Sequence, residues 1–146
     1  MNDDSVLRSA GYLLMKAGHY IGIEIETVLT KFDLSAREFL VLSFVRASDA
    51  LSQQQLSERL HLDPTIVVGL LDALEQRDLL SRTKHPADRR RNVLALTDAG
   101  ERLHDAAVAA ARDAEATFLA DLPAAERERL RETLRTVLAP RLDWLC

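Results

Sequence analysis

The chain has 146 residues and a globular composition, 47% apolar and 29% charged, which excludes disordered and low-complexity classes. Its formal charge of −4 excludes a protein that coats nucleic acid through overall positive charge. No apolar run reaches the ~18 residues that cross a bilayer, the N-terminus is acidic, and the single cysteine, Cys146, allows no intrachain disulfide. We therefore expect one domain, residues 1–146, of a soluble cytoplasmic protein.

The N-terminal third predicts two helices. The first is long and runs from about Ser5 to Lys31, although alternating isoleucines near its end weaken the helical periodicity. The second begins at Ser35, which has the S-x-x-E spacing of a capping box with Glu38, and continues to about Arg46.

Two short helices joined by a tight turn are predicted next. Ser52 N-caps the first of them, with Gln55 reaching back, and this helix ends near Leu60. Asp63 and Pro64 have the order of an N-cap followed by proline at the first helical position. The apolar residues of this second helix fall at i, i+3, i+4 and i+7 and form one stripe: Val67, Leu70, Leu71 and Leu74. The pair is a helix-turn-helix.

A β-hairpin and two helices are predicted for the rest of the chain. Residues 79–84 and 93–97 are compatible with strands, and the polar segment between them contains a proline. Thr97 or Asp98 caps a long helix to about residue 120. Pro123 begins a last helix that should kink or end by Pro140.

Positive charge is concentrated in the hairpin. The segment from Arg77 to Arg91 contains six basic and two acidic residues and has a net charge of +4, so the rest of the chain carries −8. A basic segment within an acidic protein is typical of one element that faces phosphates. A solvated charged loop is the alternative on this feature alone.

The middle of the chain, from about Leu34 to Gly100, resembles the MarR (multiple antibiotic resistance regulator) family. The resemblance is carried by L-S-E-R-L at 56–60, L-L-D-A-L-E at 70–75, L-L-S-R at 79–82 and the wing-like H-P-A-D-R-R-R-N-V-L-A-L-T-D-A-G at 85–100. It implies a mainly α fold with a small β-wing. The winged helix-turn-helix lobe would span about 34–100, and residues 5–31 and 101–146 would form helices that hold a homodimer together.

The resemblance implies binding of double-stranded DNA by two of these lobes. The helix that begins after Asp63 would enter the major groove, presenting Pro64, Thr65, Ile66, Val68, Gly69 and Gln76. Phosphate contacts are expected from Ser52, Gln53, Gln54, Arg82 and Lys84. At the wing tip are Asp88, Arg89, Arg90 and Arg91, where Asp88 would brace an arginine and Arg90 would enter the minor groove.

The function implied is that of a transcriptional regulator, specifically a repressor that binds a pseudo-palindromic operator and is released by a small aromatic or phenolic ligand. Side chains able to line a ligand crevice are Tyr12, Met15, His19, Tyr20 and Phe39, for which core packing is the alternative role. The family commonly has Thr and Arg where this chain has Val68 and Gly69. That departure favours a second hypothesis, a winged-helix protein-interaction or architectural factor without sequence-specific DNA recognition.

The sequence contains no combination of residues typical of a catalytic site. The four histidines are scattered, no serine lies in G-x-S-x-G, and no P-loop or G-x-G-x-x-G is present. Glu101 and His104 form a single E-x-x-H, which we interpret as a surface pair because a di-metal bundle needs two such motifs. We expect no enzyme activity, no metal and no cofactor.

Overall fold

The computed structural model describes residues 4–48, 50–88, 92–142 and 144. Cys146 and the wing arginines Arg89, Arg90 and Arg91 lie outside the described residues. The elements are α1 (Asp4–Leu7), α2 (Ala10–Leu29), a 3₁₀ turn (Thr30–Phe32), α3 (Ala36–Arg46), α4 (Gln53–Leu60), α5 (Pro64–Gln76), β1 (Leu80–Lys84), β2 (Asn92–Leu96), α6 (Asp98–Phe118) and α7 (Ala124–Leu138). The predicted fold class, mainly α with a small β-wing, is confirmed. The chain divides into two compact units, residues 1–115 and 116–146.

The prediction of one unbroken helix from Ser5 to Lys31 is wrong. The chain breaks at Ser9, whose hydroxyl donates to the carbonyl of Val6 (2.8 Å) and accepts from the backbone N–H of Tyr12 (3.2 Å). A serine that bonds its neighbours' backbone in this way competes with the helical hydrogen bonds. It therefore ends α1 and caps α2.

Both predicted capping boxes are confirmed. The hydroxyl of Ser35 accepts from the N–H of Glu38 (3.2 Å), and the Glu38 carboxylate accepts from the N–H of Ser35 (2.8 Å). Ser52 and Gln55 make the same exchange at 3.2 and 3.0 Å. These local signals begin α3 and α4 at the predicted positions.

The turn of the helix-turn-helix lies between α4 and α5. His61 ends α4 in the left-handed conformation, with φ 51°. Asp63 then caps α5 by accepting from the N–H of Thr65 (2.8 Å), and Pro64 occupies the first turn. In the predicted apolar stripe Val67, Leu71 and Leu74 are fully buried and Leu70 is half-buried. The helix-turn-helix prediction is confirmed.

The wing is the antiparallel pair of β1 and β2, in a register from Leu80 opposite Leu96 to Lys84 opposite Asn92. The strands start and end within one residue of the predicted ones. The sheet is joined to the helix-turn-helix because the N–H of Leu94 donates to the carbonyl of Leu51 (3.3 Å).

The start of α6 is set by close packing behind the wing. Thr97 is its cap, since the hydroxyl accepts from the N–H of Gly100 (3.0 Å). A Cβ added to Gly100 would lie 1.9 Å from the carbonyl oxygen of Leu79, so only glycine fits there. The core of this first unit is made of residues buried from α2 through α6: Leu29, Leu34, Val41, Leu42, Val45, Leu51, Leu56, Val67, Leu71, Leu74, Leu79, Leu80, Leu94 and Ala107.

The second unit contains α7, which begins after Pro123 and ends before Pro140 as predicted. All residues of α7 are described, and none is buried. Neighbouring turns are joined by ion pairs, Arg129 with Glu126 (3.0 Å) and Arg131 with Glu128. In the described ranges, no helix has both the length and the apolar character needed to span a membrane.

Candidate nucleic-acid interface

A polar groove of about 480 Å³ lies between the start of α4 and the wing. It brings together four residues for which sequence reasoning predicts DNA contacts: Ser52, Gln53, Gln54 and Arg82. Four further lining residues were not predicted: Gln55, Glu58, Asn92 and Leu94. Their positions depend on the pairing of β2 with β1 and on the packing of α4, which no local pattern reveals.

The start of α4 supplies the groove with polar groups. Its first backbone N–H groups point out of the helix end and carry the positive end of the helix dipole. The side-chain amide of Gln54 donates to the carboxylate of Glu58 (3.2 Å), one turn later. Because its first N–H groups are positively polarised, this end of α4 can hold an anionic group such as a phosphate.

The first two turns of α5 present an open face. Pro64, Thr65 and Ile66 are exposed there, together with Gly69, while Val68 is half-buried. A Cβ added to Gly69 would meet nothing within 4 Å, so packing in this chain does not require glycine at that position. Gln76, the last of the residues predicted on this helix, is exposed at the end of α5.

The two basic residues predicted on β1 have different surroundings. Lys84 is exposed at the end of the strand. Arg82 is held by two carboxylates of α5: its Nε donates to Glu75 (2.9 Å), and its terminal nitrogen pairs with Asp72. Its hydrogen bond with Asp72, and then that with Glu75, raise the pKa of the Arg82 guanidinium. The predicted phosphate contact of Arg82 stays a prediction.

The wing loop is described up to Asp88, whose N–H donates to the carbonyl of His85 (3.3 Å). The three arginines that follow lie outside the described residues. Their role in the minor groove, and the brace from Asp88, stay predictions.

The five residues predicted to line a ligand crevice lie on two helices. On α2, Tyr12 is half-buried and stacks under the amino group of Lys16 (5.7 Å), while Met15, His19 and Tyr20 are exposed. On α3, the ring of Phe39 stacks on His104 with centroids 5.6 Å apart.

The interpretation of Glu101 and His104 as a surface pair is wrong for His104, which is 6% exposed. Its Nε2 lies 2.9 Å from the hydroxyl of Ser43, and its Nδ1 lies 2.9 Å from a guanidinium nitrogen of Arg46. Glu101 pairs with Arg46 instead (3.1 Å). The burial follows from the packing of α6 on α3.

The direction of these hydrogen bonds defines the tautomer of His104. A guanidinium can only donate, so Nδ1 must accept and Nε2 must carry the proton. Nε2–H then donates to Ser43, whose hydroxyl donates to the carbonyl of Phe39 (2.8 Å). Burial and the nearby Arg46 lower the pKa of His104 below its usual value.

A capped helix-turn-helix followed by a two-stranded wing defines a winged helix-turn-helix protein. Residues 34–91 match the model of the MarR family. The HTH-type transcriptional repressor NicR of Pseudomonas putida is 27% identical over 133 residues, 91% of this chain and 84% of that protein. The HTH-type transcriptional regulator PecS of Dickeya dadantii is 33% identical over 116 residues, 77% of this chain and 70% of that protein. The chain belongs to the MarR family and is a transcriptional regulator.

Solved structures agree with this assignment. A MarR-family regulator from Rhodococcus sp. RHA1 superposes with a TM-score of 0.82 at 29% identity, covering 97% of this chain and 98% of that one. CouR from Rhodococcus jostii RHA1, bound to p-coumaroyl-CoA, gives 0.79 at 30% identity, covering 91% and 94%. The repressor CouR bound to a 23-mer DNA duplex gives 0.83 at 27% identity, covering 94% and 97%.

Proposed function

We propose that this protein is a repressor that binds a pseudo-palindromic DNA operator as a homodimer and is released by a small aromatic ligand. The observation that carries the proposal is the open face of α5 on the same lobe as the polar groove at the start of α4. The likeness to CouR in complex with a DNA duplex supports it.

Gly69 leaves the backbone of α5 open on the exposed face of the helix. Glycine inside a helix costs about 1 kcal/mol relative to alanine, and nothing in the described chain fills the space beside Gly69. A backbone without a side chain can approach the edges of bases closely. Ile66 and Val68 flank this position and offer apolar contact to thymine methyl groups, and Thr65 offers a hydroxyl.

The groove then contacts the DNA backbone. Ser52, Gln53 and Gln54 combine hydrogen-bonding side chains with the N–H groups at the start of α4. Asn92, across the groove on β2, adds a side-chain amide that can donate to phosphate. Lys84 and the wing arginines extend the phosphate and minor-groove contacts beyond this groove.

The homodimer is supported by the unburied apolar surface of the terminal helices. In α2, Leu13, Leu14, Met15, Tyr20 and Ile23 are at least 46% exposed. In α7, Val137 and Leu138 are also exposed. An amphipathic helix with this much apolar exposure gains stability by packing against a partner, and a two-fold dimer pairs identical surfaces. Two lobes related by that axis read two half-sites of an operator.

The ligand would bind beside α2. Tyr12, Met15 and His19 are spaced at i, i+3 and i+7 on α2, and Tyr20 directly follows His19. Together they give this helix an aromatic and thioether surface. CouR in complex with p-coumaroyl-CoA supports a ligand with a phenolic ring.

The test begins with selection of duplexes from a random-sequence library by the wild-type protein. Arg90→Ala should weaken binding to the selected duplex by about 1–3 kcal/mol and leave the dimer intact, because a wing arginine acts in the minor groove. Titration by gel shift measures the affinity, and sedimentation measures the dimer. Wild-type affinity in Arg90→Ala would contradict the role of the wing.

The same duplex separates the regulator from the architectural factor. Affinities for selected and scrambled duplexes are compared across salt concentrations, with and without p-coumarate or salicylate. A regulator keeps a preference for the selected duplex at every salt concentration. Equal affinities with equal salt dependence would favour the architectural factor.

A further inference from the structure

Arg82 attaches the wing to α5 through its side chain and its backbone. Its Nε donates to one carboxylate oxygen of Glu75 (2.9 Å), and its backbone N–H donates to the other (3.3 Å). Its terminal nitrogen pairs with Asp72, one turn earlier on the same helix. Glu75 therefore holds both the backbone and the side chain of the wing strand.

The attachment lies in β1 just before the strand becomes exposed. In β1 burial decreases from Leu80, which is 1% exposed, through half-buried Ser81 and Arg82 to exposed Thr83 and Lys84. Arg82 is thus the last residue of β1 with a side chain that is not exposed. A two-stranded hairpin is marginally stable alone, so its outer half takes its orientation from contacts with neighbouring elements.

Charge argues against a direct role of Arg82 on DNA. Asp72, Glu75 and Arg82 together carry a net charge of −1, which does not attract phosphate. Two nitrogens of the Arg82 guanidinium, Nε and one terminal nitrogen, already donate to carboxylates.

We infer that Asp72 and Glu75 orient the wing relative to α5 through Arg82, which makes Arg82 a positioning residue and not a phosphate contact. The inference rests on the proposed function, because it concerns how the two DNA-binding elements are held in one geometry. Wing and α5 must reach adjacent grooves at the same time, so a wing that moves independently lowers affinity without the loss of any DNA contact group.

The decisive variant is Glu75→Gln, because the two roles of Arg82 predict opposite signs. If Arg82 orients the wing, affinity for the selected duplex falls about 10-fold, although the protein has lost a negative charge. If Arg82 contacts phosphate, Glu75→Gln frees its guanidinium and removes repulsion, so binding tightens. Binding equal to or tighter than that of wild type overturns the inference.

Glu58→Gln is the matched control. Glu58 lines the same groove as Arg82, and its carboxylate receives a hydrogen bond from Gln54. The substitution removes the same charge near the DNA without removing a partner of Arg82, and it should tighten binding by about 2-fold. The opposite responses of Glu58→Gln and Glu75→Gln then separate orientation from charge.

A double-mutant cycle completes the binding test. If the pair acts as a unit, Arg82→Gln and Glu75→Gln/Arg82→Gln lose affinity to the same extent. If Arg82 contacts phosphate, Glu75→Gln tightens binding while Arg82 is present, and most of that gain disappears in the Arg82→Gln background. Additive losses in the cycle, or a gain from Glu75→Gln that requires Arg82, would contradict the inference.

Hydrogen exchange in the free protein tests the attachment without DNA. In Glu75→Gln and Arg82→Gln, amides of β1 and β2 should exchange about 10-fold faster, while those of α3 keep their wild-type rates. Unchanged exchange in the wing strands overturns the inference even if DNA binding is normal. Faster exchange with no duplex enriched by the wild-type protein would sustain the attachment and refute the proposed function, so the two failures are distinguishable.

Discussion

The winged lobe and the terminal helices use apolar residues in different ways. In the lobe, three of the four stripe residues of α5 are fully buried within the chain, and Leu42, Leu56 and Leu71 are each 0% exposed. Among the 20 residues of α2, by contrast, only Leu29 is buried, at the helix end, and α7 buries none. Both regions follow helical periodicity, so the pattern alone does not distinguish them.

The difference shows where each region obtains its stability. Burial inside one chain contributes at any protein concentration, whereas burial between two chains depends on concentration. The lobe should therefore behave as an intrinsically stable unit, and the terminal helices should depend on association.

The largest effect expected is at the centre of the lobe. Leu71→Ala should lower the free energy of unfolding by about 3 kcal/mol, independently of protein concentration, because it leaves a cavity among fully buried side chains. The matched change Leu13→Ala, at a residue 54% exposed on α2, should lower stability only where dimers form. Denaturant unfolding at several protein concentrations measures both. A concentration-independent loss in Leu13→Ala would remove the contrast between the regions.

The polar contact between α3 and α6 should make the stability of the protein depend on pH. Because the pKa of His104 is lowered by burial and by Arg46, the unfolded chain binds the proton more readily than the folded one. The stability contribution is complete above the usual histidine pKa of 6.5 and is lost as pH falls below it toward the lowered value. The unfolding midpoint should decrease as the pH is lowered from about 8 to about 5. His104→Gln should reduce this dependence of the midpoint on pH.

His85→Gln, in the wing loop, serves as the control for this pH dependence, since it removes a histidine outside the contact between α3 and α6. It should keep the slope of the wild-type protein. An equal slope in His104→Gln and wild type would show that protonation of another group controls acid stability.

The smallest effect expected is at the start of α4. Ser52→Ala removes the hydroxyl that accepts from the N–H of Gln55 and should lower the free energy of unfolding by about 1 kcal/mol. Ser35→Ala, in the equivalent box of α3, provides the comparison and should cost a similar amount. Because Ser52 also lines the groove, only its variant should weaken DNA binding as well. A loss of DNA binding in both variants, measured by gel shift, would attribute the effect to stability alone.

Signals confined to a few neighbouring residues were enough to predict most of the lobe. Ser35 with Glu38, Ser52 with Gln55, and Asp63 with Pro64 each satisfy backbone groups one turn away, so the starts of three helices could be predicted. The break at Ser9 was missed because serine occurs both inside helices and at their ends. The choice depends on whether its hydroxyl bonds the local backbone.

Contacts between distant parts of the chain could not be predicted in the same way. Ser43 and Arg46 meet His104 from about sixty residues away, and Asp72 and Glu75 meet Arg82 only because β1 folds back along α5. A charge count includes Arg82 among the basic residues that face phosphate, whereas its neighbours in space are two carboxylates. Helix starts, apolar stripes and the wing follow from local hydrogen bonding and periodicity. Which polar groups are neutralised, buried or open to a partner follows from packing, because burial and charge pairing depend on distance in space and not on distance along the chain.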